Sequence, residues 1–187
     1  MNRLEHIFNS DPEWGADIVE FVNENPEFKT YLKYVALNRY SEIPKSLVTI
    51  KDMLKYYVSF AGVNANYGCK VFEWVKNLEY NHLTDKKRVI MEAIDQLPEI
   101  STREEFNKIV ISGVGEGAKS FICQHYFRDT DIIYPSDRIF QKGLSQIYGI
   151  NKVSVSEAKS RAQKWQGKRS VGSMFCFQVG NYGHIKI

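Results

Sequence analysis

The sequence predicts an all-α protein, on three observations. Apolar residues recur at spacings of three and four in segment after segment. Signals that start helices precede most of these segments. The period-two alternation of a half-buried strand is nearly absent. Roughly ten short helices follow from this pattern.

Asp11-Pro12 opens the first, with Ile18, Phe21 and Val22 on one face. Asn25-Pro26 opens the second, carrying Tyr31, Leu32, Val35 and Tyr40. Thr49 caps a third containing Met53, Leu54, Tyr57, Val58 and Phe60. After the turn AGVNANYG comes a fourth, with Val71, Phe72, Val75 and Leu78. Thr84 caps a fifth built on Val89, Ile90, Ala93, Ile94 and Leu97. Ser101-x-x-Glu104 and Ser154-x-x-Glu157 have capping-box spacing and predict helices over 102–111 and 155–165. A helix follows Gly115, another follows Pro135 and ends near Gly149, and a last one covers about 170–180.

The chain has 187 residues, 43% of them hydrophobic, which suits one compact unit or two small lobes. No apolar run reaches the ~18 residues of a membrane span. The start, MNRLEHIFNSDPEW, lacks the apolar core of a signal peptide. These features predict a soluble intracellular protein, cytoplasmic or associated with the nucleoid. Cys69, Cys123 and Cys176 form no CxxC pair, and each reads as a buried free thiol. The four histidines show no ligand spacing. The expectation is no metal and no cofactor.

Charge is unevenly placed. Residues 138–187 hold nine Lys/Arg against one acid, Glu157, a net +8, whereas the remainder nets −5. Such asymmetry suits a polyanion on one side of the molecule, or a solvated basic face with no partner.

The segment EEFNKIVISGVGEGAKSFICQHYF, residues 104–127, reads as helix, tight turn, helix, with the helix-hairpin-helix at about 108–127. Ile109, Val110 and Ile111 end the first helix in this reading. Gly113 and Gly115 can take backbone angles closed to other residues and allow close approach to a ligand. The amides of Val114, Gly115, Glu116 and Gly117 then point outward at a helix N-terminus, a setting suited to a phosphate oxygen. The segment lacks the Lys-Ser/Thr of a P-loop, and no strand precedes it. A backbone phosphate of nucleic acid fits better than a nucleotide cofactor. A purely structural turn between helices is the alternative.

Three elements then follow in order: the hairpin Ile111-Ser-Gly-Val-Gly115, Tyr134-Pro135-Ser136-Asp137 opening a helix, and RAQKWQGKRSVGSMFCFQVGNYG. In this order the chain resembles the helix-hairpin-helix DNA glycosylase superfamily, nearest to the monofunctional alkyl-base (3-methyladenine) branch. The resemblance spans about 49–183 and is strongest over 108–180. The first 45 residues carry none of it. Phe60-Ala61-Gly62 stands where the family often has Gln-Gln, and Gly167-Lys168 departs from the family's tryptophan motif before the final helix.

The resemblance implies a two-lobed all-α fold. One lobe is a helical barrel over 48–134, and the other combines 1–47 with 135–187. It implies a monomer that acts on double-stranded DNA and hydrolyses the N-glycosidic bond of a flipped damaged or modified base. Asp137 matches the family's catalytic carboxylate, which stabilises an oxocarbenium-like sugar and activates water. Asp129 and Asp131 are rivals, and an early-helix acid with no catalytic role is the plain alternative. Bifunctional members carry a lysine four residues after the first hairpin glycine. That position here is Gly117, so no Schiff base and no strand cleavage are expected.

The expected phosphate contacts are Gly113, Val114, Gly115, Gly117 and Lys119 of the hairpin, with Arg161, Lys168 and Arg169 of the basic segment. Tyr57, Phe60, Asn64 and Tyr67 are candidates for the base pocket, although aromatics at helical spacing more often serve the core. Two other functions fit the same residues. One is an enzyme of glycosylase fold that modifies or exchanges a group on a thymine-type base in phage DNA. The other is a non-catalytic DNA-binding module.

Overall fold

The computed structural model describes residues 12–33, 47–63 and 65–183, and every regular element among them is helical. The helices are α1 (Pro12–Glu24), α2 (Ile50–Phe60), α3 (Ala65–Lys76), α4 (Asp85–Asp95), α5 (Arg103–Asn107), α6 (Glu116–His125), α7 (Arg138–Tyr148), α8 (Val155–Ala162) and α9 (Arg169–Tyr182), with 3-10 turns at Pro26–Tyr31, Tyr80–His82 and Gln163–Trp165. The chain divides into two compact units, Met1–Glu42 with Asp129–Ile187, and Ile43–Arg128. No described helix is long and apolar enough to cross a membrane.

Local chemistry sets most helix starts. Thr49 and Asp52 close a reciprocal capping box on α2. Thr84 accepts from the Lys87 amide at α4, and Ser154 accepts from the Glu157 amide at α8. At the other end of α2, the Lys87 ammonium donates to the carbonyls of Val58, Ser59 and Ala61 at 2.7, 3.0 and 3.2 Å. The Val58 carbonyl also accepts from the Ala61 amide at 3.3 Å, and a cation at this end complements the helix dipole.

Three expectations need correction. The capping box near residue 101 sits one position later than predicted. The Thr102 hydroxyl accepts from the Glu105 amide, and the Glu105 carboxylate accepts from the amides of Ser101 and Thr102 at 3.0 and 3.1 Å. The later register lets one carboxylate satisfy two amides, and these bonds hold the Glu105 carboxyl below its ordinary pKa.

The helix it starts is also shorter than predicted. α5 stops at Asn107, closed by bonds from the Lys108 and Ile109 amides to carbonyls three residues back. Ile109, Val110 and Ile111 leave the helix, so that Ile111 is buried while Val110 is 89% exposed. Finally, Cys69 is exposed, whereas Cys123 and Cys176 are buried as expected. Its helix α3 buries Val71, Phe72 and Val75 instead. The predicted second helix begins as the 3-10 turn Pro26–Tyr31, and Val35 and Tyr40 lie outside the described residues.

In the unit of residues 43–128, α2 is central and packs against α3, α4 and α6. Leu54, Val71, Val75, Met91, Ile94 and Ile122 are each at most 1% exposed. Full burial of side chains of this size contributes about 1.5–3 kcal/mol apiece.

The other unit is built on aromatic rings from both ends of the chain. Phe28 meets Phe21, Phe175 and Trp165 edge-on, with centroids 4.9, 5.3 and 5.4 Å away. The N-terminal helix is thereby packed onto C-terminal elements. α7 and α9 pack so closely that a side chain at Gly143 would overlap the Cys176 carbonyl, and one at Gly180 would overlap the Ile139 carbonyl. Each helix thus supplies a glycine where the other's backbone passes.

Candidate nucleic-acid interface and catalytic carboxylate

The hairpin between α5 and α6 is built by one left-handed residue and one internal bond. Gly113 has φ +85°, a conformation that suits glycine, and a Cβ there would press on Ile90. The Val114 amide donates to the Ile111 carbonyl at 3.0 Å and closes the turn. Val114 is therefore corrected as an amide donor to phosphate, because its N–H is already used.

Gly115 caps α6 in an extended conformation, φ −93° and ψ −172°, and no side chain caps the helix. The expectation of a glycine-only backbone angle at Gly115 is also corrected. What distinguishes Gly115 is space, since nothing lies within 4 Å of the position a Cβ would take. Among the described residues, no acceptor takes the amides of Gly115, Glu116 or Gly117. These are the orphan donors every helix start leaves.

Gly117 faces inward, and a Cβ there would lie 2.5 Å from the Tyr57 hydroxyl. The backbone of α6 thus approaches α2 at this point. Lys119 is one turn into α6, about one-third exposed, with its ammonium 4.0 Å from the Glu116 carboxylate.

The base-pocket candidates do not form one group. Tyr57 and Phe60 belong to a ring cluster with Tyr56 and Phe121. Tyr56 lies 4.8 Å from Phe60, and Tyr57 lies 5.3 Å from Phe121. Tyr67 packs edge-on against Trp74 at 6.2 Å and is 42% exposed. Asn64 lies outside the described residues.

His125 completes the cluster, its ring 4.6 Å from Phe121. Burial, with a smaller contribution from the charge on Arg128, lowers its pKa from 6.5 to about 4. The folded protein therefore keeps His125 neutral at pH values where the unfolded chain protonates it. Its contribution to stability is complete above about pH 6.5 and falls as pH drops toward 4, by up to about 3 kcal/mol. Thermal melts from pH 7 to 4.5 should show this loss in the wild type and a shallower one in His125→Phe. Equal slopes would contradict the assignment.

The second candidate site begins at Tyr134-Pro135-Ser136-Asp137. The Asp137 amide donates to the Tyr134 carbonyl at 3.0 Å, forming a turn. Gln141 Nε2 donates to the Pro135 carbonyl at 2.7 Å and ties that turn to α7. Asp137 is the N-cap of α7. Its Oδ1 accepts from the amides of Ile139 and Phe140 at 2.7 and 3.0 Å. Among the described residues, no donor reaches Oδ2. One carboxylate oxygen thus fixes the group while the other keeps its lone pairs.

Of the rivals, Asp131 is engaged at both carboxylate oxygens. Asp131 Oδ1 accepts from the Gly167 amide and its Oδ2 from Arg169 Nη1, at 2.8 and 2.9 Å. Asp129 Oδ1 accepts from the Asp131 amide at 2.8 Å.

The tryptophan motif anchors the segment leading to Asp137. Trp165 is 1% exposed in the aromatic core. The Ser170 hydroxyl donates to the Asp129 carbonyl at 2.6 Å and accepts from the Ile132 amide at 3.1 Å. Arg169 also donates to the Ala162 carbonyl at 3.1 Å.

The three cations expected on DNA in this unit are engaged within the chain. Lys168 reaches Glu20 and Glu24 at 2.7 and 2.9 Å, and Glu20 leads in raising its pKa. Arg169 pairs with Asp131 at 2.9 Å. Arg161 pairs with Glu157 at 3.0 Å and lies over the Tyr148 ring.

Gln141 and the glycines Gly143 and Gly180 are the positioning residues that sequence reasoning missed. Glycines inside strongly helical segments were the available signal. Among the described residues, no three His, Cys, Asp or Glu are grouped to hold a metal ion. No protein-family model, curated protein or solved structure matches the chain.

Proposed function

We propose that this protein excises a base from duplex DNA by hydrolysing its N-glycosidic bond, on a two-lobed helix-hairpin-helix glycosylase fold. The observation that carries the reading is the hairpin. Three amides without an internal acceptor stand at the start of α6, beside a glycine with open space around it. That arrangement suits a phosphate oxygen of a DNA backbone.

The chemistry falls to Asp137. In this reading its negative charge stabilises the sugar as positive charge develops at C1′, and Oδ2 accepts a hydrogen bond from the attacking water. The water oxygen bonds to C1′ as the C1′–N bond breaks. The base leaves with the bonding electron pair and gains a proton, while the water loses one. Gly117 offers no amine, so the product is an abasic site in an intact strand.

Gly115→Val separates phosphate binding from folding. The backbone angles of Gly115 are open to any residue and its Cβ site is empty, so the variant should fold normally. The added side chain would keep a phosphate from the amides, and affinity should fall equally for all DNA sequences. A folded Gly115→Val with unchanged DNA affinity would remove the phosphate role. The reaction itself is tested by treating duplexes carrying damaged or modified bases with the protein, then with alkali. Breaks after alkali alone indicate base excision.

A second reading, a DNA-binding module without catalysis, draws on the capping role of Asp137, which by itself accounts for an acid at this position. Binding without alkali-dependent breaks across the whole panel would favour it.

A further inference from the structure

The cations of the C-terminal segment that lie among the described residues fall into two classes. Arg161, Lys168 and Arg169 are paired with Glu157, Glu20 with Glu24, and Asp131. Arg138, Lys142, Lys152, Lys159 and Lys164 are exposed, and no acidic partner is found for them among the described residues. An ion pair within the chain neutralises its cation and must be broken or shared before that cation can serve a phosphate. An unpaired exposed cation needs only to release its own hydration. Among the described residues of this segment, the surplus of positive charge therefore resides on the second class.

Within that class, Arg138 and Lys142 differ from the others by their placement. They lie four residues apart on α7 and so share one face of the helix. The opposite face is buried through Phe140, Gly143, Leu144 and Ile147. Cβ atoms at this spacing are about 5–6 Å apart, comparable to the separation of neighbouring phosphates along one strand. The helix that carries them is held against α9 by the close approaches at Gly143 and Gly180. Its N-cap is Asp137.

We infer that Arg138 and Lys142 form the phosphate-backbone contact of the C-terminal unit, gripping two adjacent phosphates of one DNA strand. Arg161, Lys168 and Arg169 act instead as internal braces. The inference rests on the DNA reading above. It places the strand anchor and the candidate catalytic carboxylate on a single rigid helix, so that holding the backbone also sets the distance between sugar and Asp137.

The test compares Arg138→Gln/Lys142→Gln with Lys159→Gln/Lys164→Gln, which removes the same charge elsewhere in the unit. The probe is a fluorescent 20-base-pair duplex titrated across a range of salt concentrations. All four side chains are exposed, so both variants should melt like the wild type. Two lost phosphate contacts should reduce the slope of log K against log salt by about 2 in Arg138→Gln/Lys142→Gln. The control should change the slope by well under one unit. A wild-type slope in Arg138→Gln/Lys142→Gln, or an equal loss in the control, would overturn the inference and leave the DNA reading standing. A wild type that does not bind the duplex even at low salt would overturn both.

Discussion

Asp137→Asn is expected to fold like the wild type and to lose base release by two or more orders of magnitude. The two halves of this expectation come from different oxygens of one side chain. Oδ1 caps α7 through the amides of Ile139 and Phe140. Asparagine offers a carbonyl oxygen in the same place and is among the best N-cap residues, so stability should change little. The charge is another matter. A neutral amide stabilises a developing oxocarbenium ion poorly, and each tenfold in rate corresponds to about 1.4 kcal/mol of barrier.

Asp137→Ala supplies the contrast. It should lose the same activity and also about 1 kcal/mol of stability, because both amides lose their acceptor. Melting curves and base-release rates of the two variants together separate cap from catalyst. If Asp137→Asn released base at the wild-type rate, Asp137 would be a cap and nothing more.

Gly143→Val should be the most damaging substitution for the fold. The new Cβ would overlap the backbone carbonyl of Cys176, which no side-chain rotation can move. α7 and α9 would have to separate, opening a core in which Phe140, Leu144, Phe175, Cys176 and Val179 are fully buried. Overpacking of this kind typically costs about 1–3 kcal/mol, and a clash with backbone belongs at or above the upper end. Urea denaturation should show a loss of about 3 kcal/mol, or an unfolded unit. Gly149→Ala on the same helix is the comparison. Gly149 ends α7 at φ +64° with nothing within 4 Å, so its cost is the left-handed backbone alone, about 1 kcal/mol. Equal stabilities for the two variants would contradict the close packing.

Signals confined to a few residues were legible in the sequence. Thr49, Thr84 and Ser154 cap the predicted helices because a capping bond spans only two or three positions. The turn before α7 was legible for the same reason, with Tyr134-Pro135-Ser136-Asp137 opening the helix. The segment STREEFNKIVISG was harder. Ser101-x-x-Glu104 and Thr102-x-x-Glu105 both have capping-box spacing, and sequence pattern alone does not choose between them. The choice goes to Glu105, which satisfies two amides at once. The apolar run Ile109-Val110-Ile111 looked helical, yet the Gly113 turn draws the chain out of the helix before it.

Long-range relations were not legible. Lys168 pairs with Glu20 and Glu24, which lie more than a hundred positions away in the chain, and the number of charges in a segment does not reveal which are already neutralised. Tyr57 and Tyr67 are both base-pocket candidates in the sequence. One packs on Phe121 and the other on Trp74, because their helices turn different faces toward their neighbours.

The central claim is base excision without strand cleavage, and one labelled duplex tests it. The duplex carries a single alkylated base and is incubated with wild type or Asp137→Asn, with and without sodium borohydride. Its strands are then separated on a denaturing gel before and after alkali. The account predicts an intact strand before alkali, a break at the alkylated position after alkali with wild type only, and no borohydride-trapped protein–DNA adduct. Strand breaks that appear without alkali together with a trapped adduct would contradict it, and would move the chemistry from Asp137 and water to an amine such as Lys119.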